Sequence, residues 1–183
     1  MEFMGYRRPD GSCGVRNHVG ILSAVVCANE VAIRISNQVQ GTVFFTHHQG
    51  CCQTSVDLDR VNATLTGLGC NPNLHSVLLL SLGCESTDLA AVVEGIRATG
   101  KRVELLTIHE CGGAAQTIAK GALLAQRMVE EASKAARTPC PAGALVIGMK
   151  CGSSDTTSGL IPNPALGIAS DLLVAEGGTS VFG

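Results

Sequence analysis
The sequence predicts an α/β fold: a Rossmann-like, doubly wound, mainly parallel sheet of about five or six strands with helices on both faces. Three observations lead there. Residues 77–85, VLLLSLGCE, form an apolar run too short for a helix core and broken at Gly83, which reads as a fully buried central strand. Four other runs share its design: GILSAVVC, TVFFTHHQGCC, VELLTIHECGG and ALVIGMKCGSSD each place Cys, His, Glu or Asp just past the last hydrophobic residue. Between the runs, apolar residues recur at helical spacing. In an open parallel sheet, ligands bind outside the carboxyl ends of the strands, so these ends are expected to share one crevice.

The opening GYRRPDGSCGVRN is turn-rich, and it sets Arg16 and Asn17 immediately before the first strand at 19–26. Val31, Ile35 and Val39, four apart, mark the first helix. A short strand at 42–46 runs into HHQGCC. Thr54 or Ser55 then caps a helix carrying Val56, Leu58, Val61, Leu65 and Leu68, which stops at Gly67 or Gly69. After the central strand, Ser86 or Thr87 caps LAAVVEGIRAT. A strand at 103–108 follows, and the Ala-rich stretch from Ala114 makes the longest helix. TPCPAG reads as a linker to a fifth strand at 145–149; Pro164 fits the first turn of a helix running to about Ala175, and GGTSVFG begins a sixth strand. The expectation is a single α/β domain over 1–183, truncated from a longer catalytic chain.

Composition narrows the function. Hydrophobic residues make up 45% and charged ones 15%, so the chain is ordered, with little polar surface. A net charge of −2 and 3% aromatics argue against nucleic-acid binding. No apolar run approaches the roughly 18 residues of a membrane span, and MEFMGYRRPDGS lacks a signal-peptide core. Nine cysteines, an odd number without small-scaffold features, point to a reducing, cytoplasmic setting rather than a disulfide framework. Cys27, Cys70 and Cys140 read as packing residues, whereas Cys51, Cys84 and Cys151 each touch a glycine at a strand end.

His47, Cys51, Cys84, Glu85, Glu110, Cys151 and Asp155 have no ligand spacing of their own; their case is convergence on one rim. A mixture of carboxylate, imidazole and thiolate suits iron or zinc better than magnesium. An iron–sulfur cluster on Cys51, Cys84 and Cys151 is the alternative. GGAAQT and CGSSD lead toward helix N-termini, where anions bind, and Ser153 and Ser154 open a hydroxyl-rich loop suited to a polyhydroxylated ligand. No P-loop or dinucleotide fingerprint is present.

GYRRPDGSCGVRN, HHQGC, LGCE, IHECGG, CGSSDTTSGLIPNPALG and EGGTSVFG, in this order, resemble the large catalytic part of the altronate/galactarate dehydratase family, which includes the large subunit of (2R)-sulfolactate sulfo-lyase. The resemblance implies a divalent-metal-dependent β-elimination, with Fe2+ foremost, that dehydrates a sugar acid to a 2-keto-3-deoxy acid or releases sulfite from sulfolactate. A non-catalytic module that binds sugar acids or a partner is the further alternative. By family pattern His47, Cys84, Glu85, Cys151 and Asp155 are carried over as site candidates. The expected roles are His47, Glu85 and Glu110 in catalysis; Cys51, Cys84, Glu85 and Cys151 on metal; and Arg16, Asn17, Ser153, Ser154 and Asp155 on substrate. The resemblance also implies that the rest of the catalytic chain completes the site, with a small SAF-like subunit and homo-oligomerisation as further expectations, and that the 183 residues alone turn over little.

Overall fold
The chain runs through β1 (Glu2–Arg7), β2 (Cys13–Gly14), β3 (His18–Ser23), α1 (Asn29–Gln38), β4 (Thr42–Phe45), α2 (Ser55–Cys70), β5 (Leu74–Ser81) and α3 (Leu89–Arg97). There follow β6 (Arg102–Thr107), α4 (Ile108–Cys111), α5 (Ala114–Ser133), β7 (Thr138–Pro141), β8 (Val146–Met149), α6 (Thr156–Leu160), α7 (Pro162–Ala175) and β9 (Thr179–Phe182). This computed structural model describes residues 1–150 and 152–183, so Cys151 lies outside the described residues.

The main sheet is wholly parallel, in the order β4-β3-β5-β6. Alternation along its two inner strands divides the core. Ile21, Leu78 and Leu80 pack with Val31 and Ile35 of α1 and Ala125 and Met128 of α5. Leu22, Val77 and Leu79 face the other way, onto Leu65 of α2 and Val92 and Ile96 of α3. Helices therefore cover both faces, as a parallel sheet requires. Because β3 leads outward to β4 while β5 leads the other way to β6, the strand order reverses between β3 and β5, and a crevice is expected at their carboxyl ends.

Three expectations are corrected. The main sheet has four strands, because β8 and β9 pair with each other in a separate two-stranded parallel sheet. The opening and the TPCPAG stretch are not merely turns and linker: β1 sits between β2 and β7 in an antiparallel sheet, with Cys13 and Cys140 buried. None of these strands is a continuous apolar run, so a search for such runs passes over them; in β7, Pro139 and Pro141 are tolerated because it is an edge strand. Finally, α2 passes through both glycines. A Cβ on Gly69 would lie 2.2 Å from Ile96 Cδ1, so this glycine lets α2 and α3 approach rather than ending a helix.

Candidate active site
Four loops emerge from the carboxyl ends of the parallel strands, and hydrogen bonds lace them together. Ala24 N–H reaches Leu80 O at 2.9 Å, Val26 N–H reaches Gln49 O at 3.0 Å, Ser86 N–H reaches Gly50 O at 3.0 Å and His109 N–H reaches Leu82 O at 3.2 Å. The buried Thr87 hydroxyl donates to Ala24 O at 2.8 Å, so it ties two loops together instead of capping α3. Asp88 takes the capping role, accepting from Ala91 N–H at 3.0 Å. Gly50, at φ +98°, crosses so close to the β3 loop that a Cβ would stand 2.6 Å from Ala24 O. This rim gathers His47, Cys51, Cys84, Glu85 and Glu110.

Glu85 is the half-buried carboxylate at the strand-order reversal. Its Oε2 accepts from Gly83 N–H at 2.7 Å. Burial alone would raise its pKa, but the Ser81 hydroxyl and the amides of Gly83, Glu85 and Leu82 outweigh that and hold it below the ordinary glutamate value. The Ser81 hydroxyl is thus a near neighbour that closes no full hydrogen bond, Oε1 is buried without a partner, and so is the Ser23 hydroxyl at the end of β3. Such orphaned groups are rare in a finished interior, and Glu85 Oε1 lies at the strand end where ligands of an open parallel sheet bind.

His47 is otherwise engaged. Nε2–H donates to Ser23 O at 2.8 Å, and Nδ1 accepts from Gln49 N–H at 3.2 Å, which fixes a neutral tautomer and leaves no ring nitrogen for substrate or metal in this conformation. His109, which sequence reasoning left without a role, sits beside Gly83. A Cβ on that glycine, at φ +112°, would lie 3.0 Å from His109 Nδ1, so the ring packs against the residue whose amide holds Glu85. Glu110, on the same α4 turn, is exposed.

Cys51 and Cys52 are exposed, with Sγ atoms 3.5 Å apart. Hydrogen bonding with Cys52 and the nearby Cys52, Cys27 and Cys84 thiols raise the Cys51 pKa. Cys27 is thus an exposed member of this group rather than a packing residue. Among the described residues, which do not include the expected ligand Cys151, no three His, Cys, Asp or Glu side chains are grouped to hold an ion.

The remaining candidates lie elsewhere. Arg16 and Asn17 precede β3, and so sit at the opposite, amino edge of the sheet. Asn17 accepts from Arg8 Nη1 at 2.8 Å and donates to Ala132 O at 2.7 Å, bracing that edge, while Arg16 is exposed. Ser153, Ser154 and Asp155 follow β8, outside the main sheet. Asp155 N-caps α6, accepting from Ser158 N–H at 2.9 Å and from the hydroxyls of Ser153, Thr157 and Ser158, and these bonds lower its pKa. Residues of β8 and β9 line a cavity with Cys13 and Asn71–Asn73, which places the second sheet against the amino edge.

Residues 5–133 match the family model described as D-galactarate dehydratase/Altronate hydrolase, second domain, and residues 142–183 match the D-galactarate/Altronate dehydratase, C-terminal model. The chain belongs to this family. It is 43% identical over 181 residues to a protein of Chromohalobacter salexigens named (2R)-sulfolactate sulfo-lyase subunit beta, covering 99% of this chain and 46% of that protein. The altronate dehydratase of Bacillus subtilis is 34% identical over 191 residues, covering 98% and 38%. The galactarate dehydratase (L-threo-forming) of Escherichia coli is 32% identical over 200 residues, covering 98% and 38%. The chain thus spans less than half the length of these family members. Among the described residues no helix is long and apolar enough to cross a membrane.

Proposed function
We propose that this chain supplies the proton-transfer wall of a lyase acting on a small hydroxy acid in the cytoplasm. One observation carries the reading: Glu85 stands at the strand-order reversal with Oε2 held by the Gly83 amide and Oε1 buried without a hydrogen-bond partner. A carboxylate so placed acts as a general base on the carbon between a substrate's carboxylate and its departing group. The proton goes to Glu85, the C–H electron pair becomes the new double bond, and the β-substituent leaves with its own bonding pair. His109, packed against Gly83, donates a proton to it. The resulting enol tautomerises to a 2-keto acid.

Water leaving from a sugar acid of the altronate or galactarate type is the first reading. Sulfite leaving from sulfolactate is the second, and the higher identity to the sulfo-lyase subunit, 43% against 32% and 34%, favours it. That relative's being named a subunit supports a partner subunit here as well. Fe2+, or the alternative cluster, needs ligands beyond those the described residues bring together.

The test is Glu85→Gln in the assembled enzyme, assayed for 2-keto acid formation from galactarate, altronate and sulfolactate. A fall in kcat of about 10²- to 10⁴-fold is expected, the range of general-base catalysis. Unchanged turnover would sink the assignment and leave a binding module.

A further inference from the structure
A cavity of about 450 Å³ opens beside the rim, between β4 and α2. Its volume falls within the range of small-molecule sites. Phe45, Val61, Leu65 and Leu68 give it an apolar floor, and His47, Gln49, Gln53, Asp57 and Arg60 give it a polar mouth. The mouth is rigid. His47 is fixed at both nitrogens, and Gln53 accepts from Gly50 N–H at 2.7 Å while donating to Gln49 Oε1, which leaves the Gln49 amide N–H groups to donate elsewhere.

Arg60 is the cation of this cavity, and it has no ion pair among the described residues. Asp57, one turn earlier on α2, would be its natural partner. That carboxylate instead accepts from the Thr54 hydroxyl at 2.8 Å, at the start of the helix. Arg60 is exposed, and a guanidinium without an ion pair at the mouth of a cavity with an apolar floor is suited to a carboxylate or sulfonate, which the planar fork can take by two parallel hydrogen bonds.

We infer that this cavity is an acid-group subsite in which Arg60 reads the second acidic group of a doubly acidic hydroxy acid. His47 forms the wall between it and the rim. The inference rests on the lyase reading for the identity of the ligand but not for the existence of the subsite. Galactarate carries two carboxylates, sulfolactate a carboxylate and a sulfonate, and altronate one carboxylate only. Arg60 therefore sets specificity by counting acidic groups.

The experiment is calorimetric binding of these three acids to the assembled enzyme, with Arg60→Gln and Arg60→Lys, alongside steady-state kinetics. Arg60→Gln is expected to weaken galactarate or sulfolactate about 10- to 100-fold, as loss of a charge-assisted hydrogen bond predicts, with the loss in KM rather than kcat. Altronate should change less than about threefold, and Arg60→Lys should recover part of the loss. Equal weakening of all three acids, or none, overturns the subsite. Arg60-dependent binding without turnover in the unaltered enzyme would keep the subsite and reject the lyase. Turnover that is lost in Glu85→Gln but indifferent to Arg60→Gln would do the reverse.

Discussion

Glu85 gains a backbone partner from one local bend: the chain turns at Gly83, and the side chain folds back onto the Gly83 amide two residues behind it. The consequence is measurable as pH dependence. Its folded pKa lies below the ordinary value of 4.5, so the unfolded chain binds the proton more readily. The carboxylate's contribution to stability is then fully present above pH 4.5 and is lost as pH falls through the lower folded pKa. Urea unfolding of the wild type and Glu85→Gln at a series of pH values should show a difference that is constant at neutral pH and shrinks only on the acid side of 4.5. A difference that grew on acidification would contradict the hydrogen bonding described. Single residues also show what a sequence can disclose. Cys84, Glu85 and His47 were readable as rim residues because each follows a parallel strand. Arg16 precedes one, and in a parallel sheet that single fact sends it to the far edge. Arg60 gave no signal, since a charged residue on an amphipathic helix looks like any solvated one until the cavity beside it is seen.

At the scale of elements, α2 shows how one buried cation holds the sheet and its helices in register. Lys101, just before β6 and only 5% exposed, donates from Nζ to the carbonyls of Gly69, Cys70 and Asn71 at 3.2, 2.5 and 2.7 Å. These carbonyls belong to the end of α2, which has no further turn to receive them and carries the negative end of the helix dipole. The ammonium therefore closes α2 and pins it to the strand three elements later. Lys101→Met keeps the apolar stem and removes the donors, leaving the carbonyls unpaired. The expected cost is about 2–3 kcal/mol in chemical denaturation. An unchanged midpoint would mean that water replaces the amine without loss. The helices and parallel strands were legible from periodicity because burial on one face or both imposes it. β1, β2 and β7 were not, because a short edge-paired antiparallel sheet is held by backbone bonds and by cations against the Tyr6 ring, Arg8 at 5.7 Å and Arg137 at 4.8 Å, which leave no hydrophobic rhythm.

Across the whole molecule, apolar surface is unevenly covered. The two inner strands of the main sheet are sealed on both faces, with Ile21, Leu22, Leu78 and Leu79 wholly buried. The β8–β9 sheet and α7 are not: Val146 is 67% exposed, Leu172 66% and Phe182 74%, and Leu160, Ile161 and Ile168 are similarly open. A two-stranded sheet with bare apolar residues is marginal on its own and presents an association surface. The sequence showed the apolar excess but not its location, because it gave β8 and β9 to the main sheet, where they would have been covered. The prediction is that the 183-residue chain self-associates with increasing concentration in sedimentation experiments and enhances the fluorescence of a hydrophobic dye. Val146→Thr, Leu172→Gln and Phe182→Ser together should lower both signals. Because these side chains bury little within the chain, the triple change should move unfolding stability by no more than about 0.5 kcal/mol per site. A monomeric, dye-silent wild type would show that β8, β9 and α7 cover one another in solution, whereas a large loss of stability in the triple variant would show that they already support the main body.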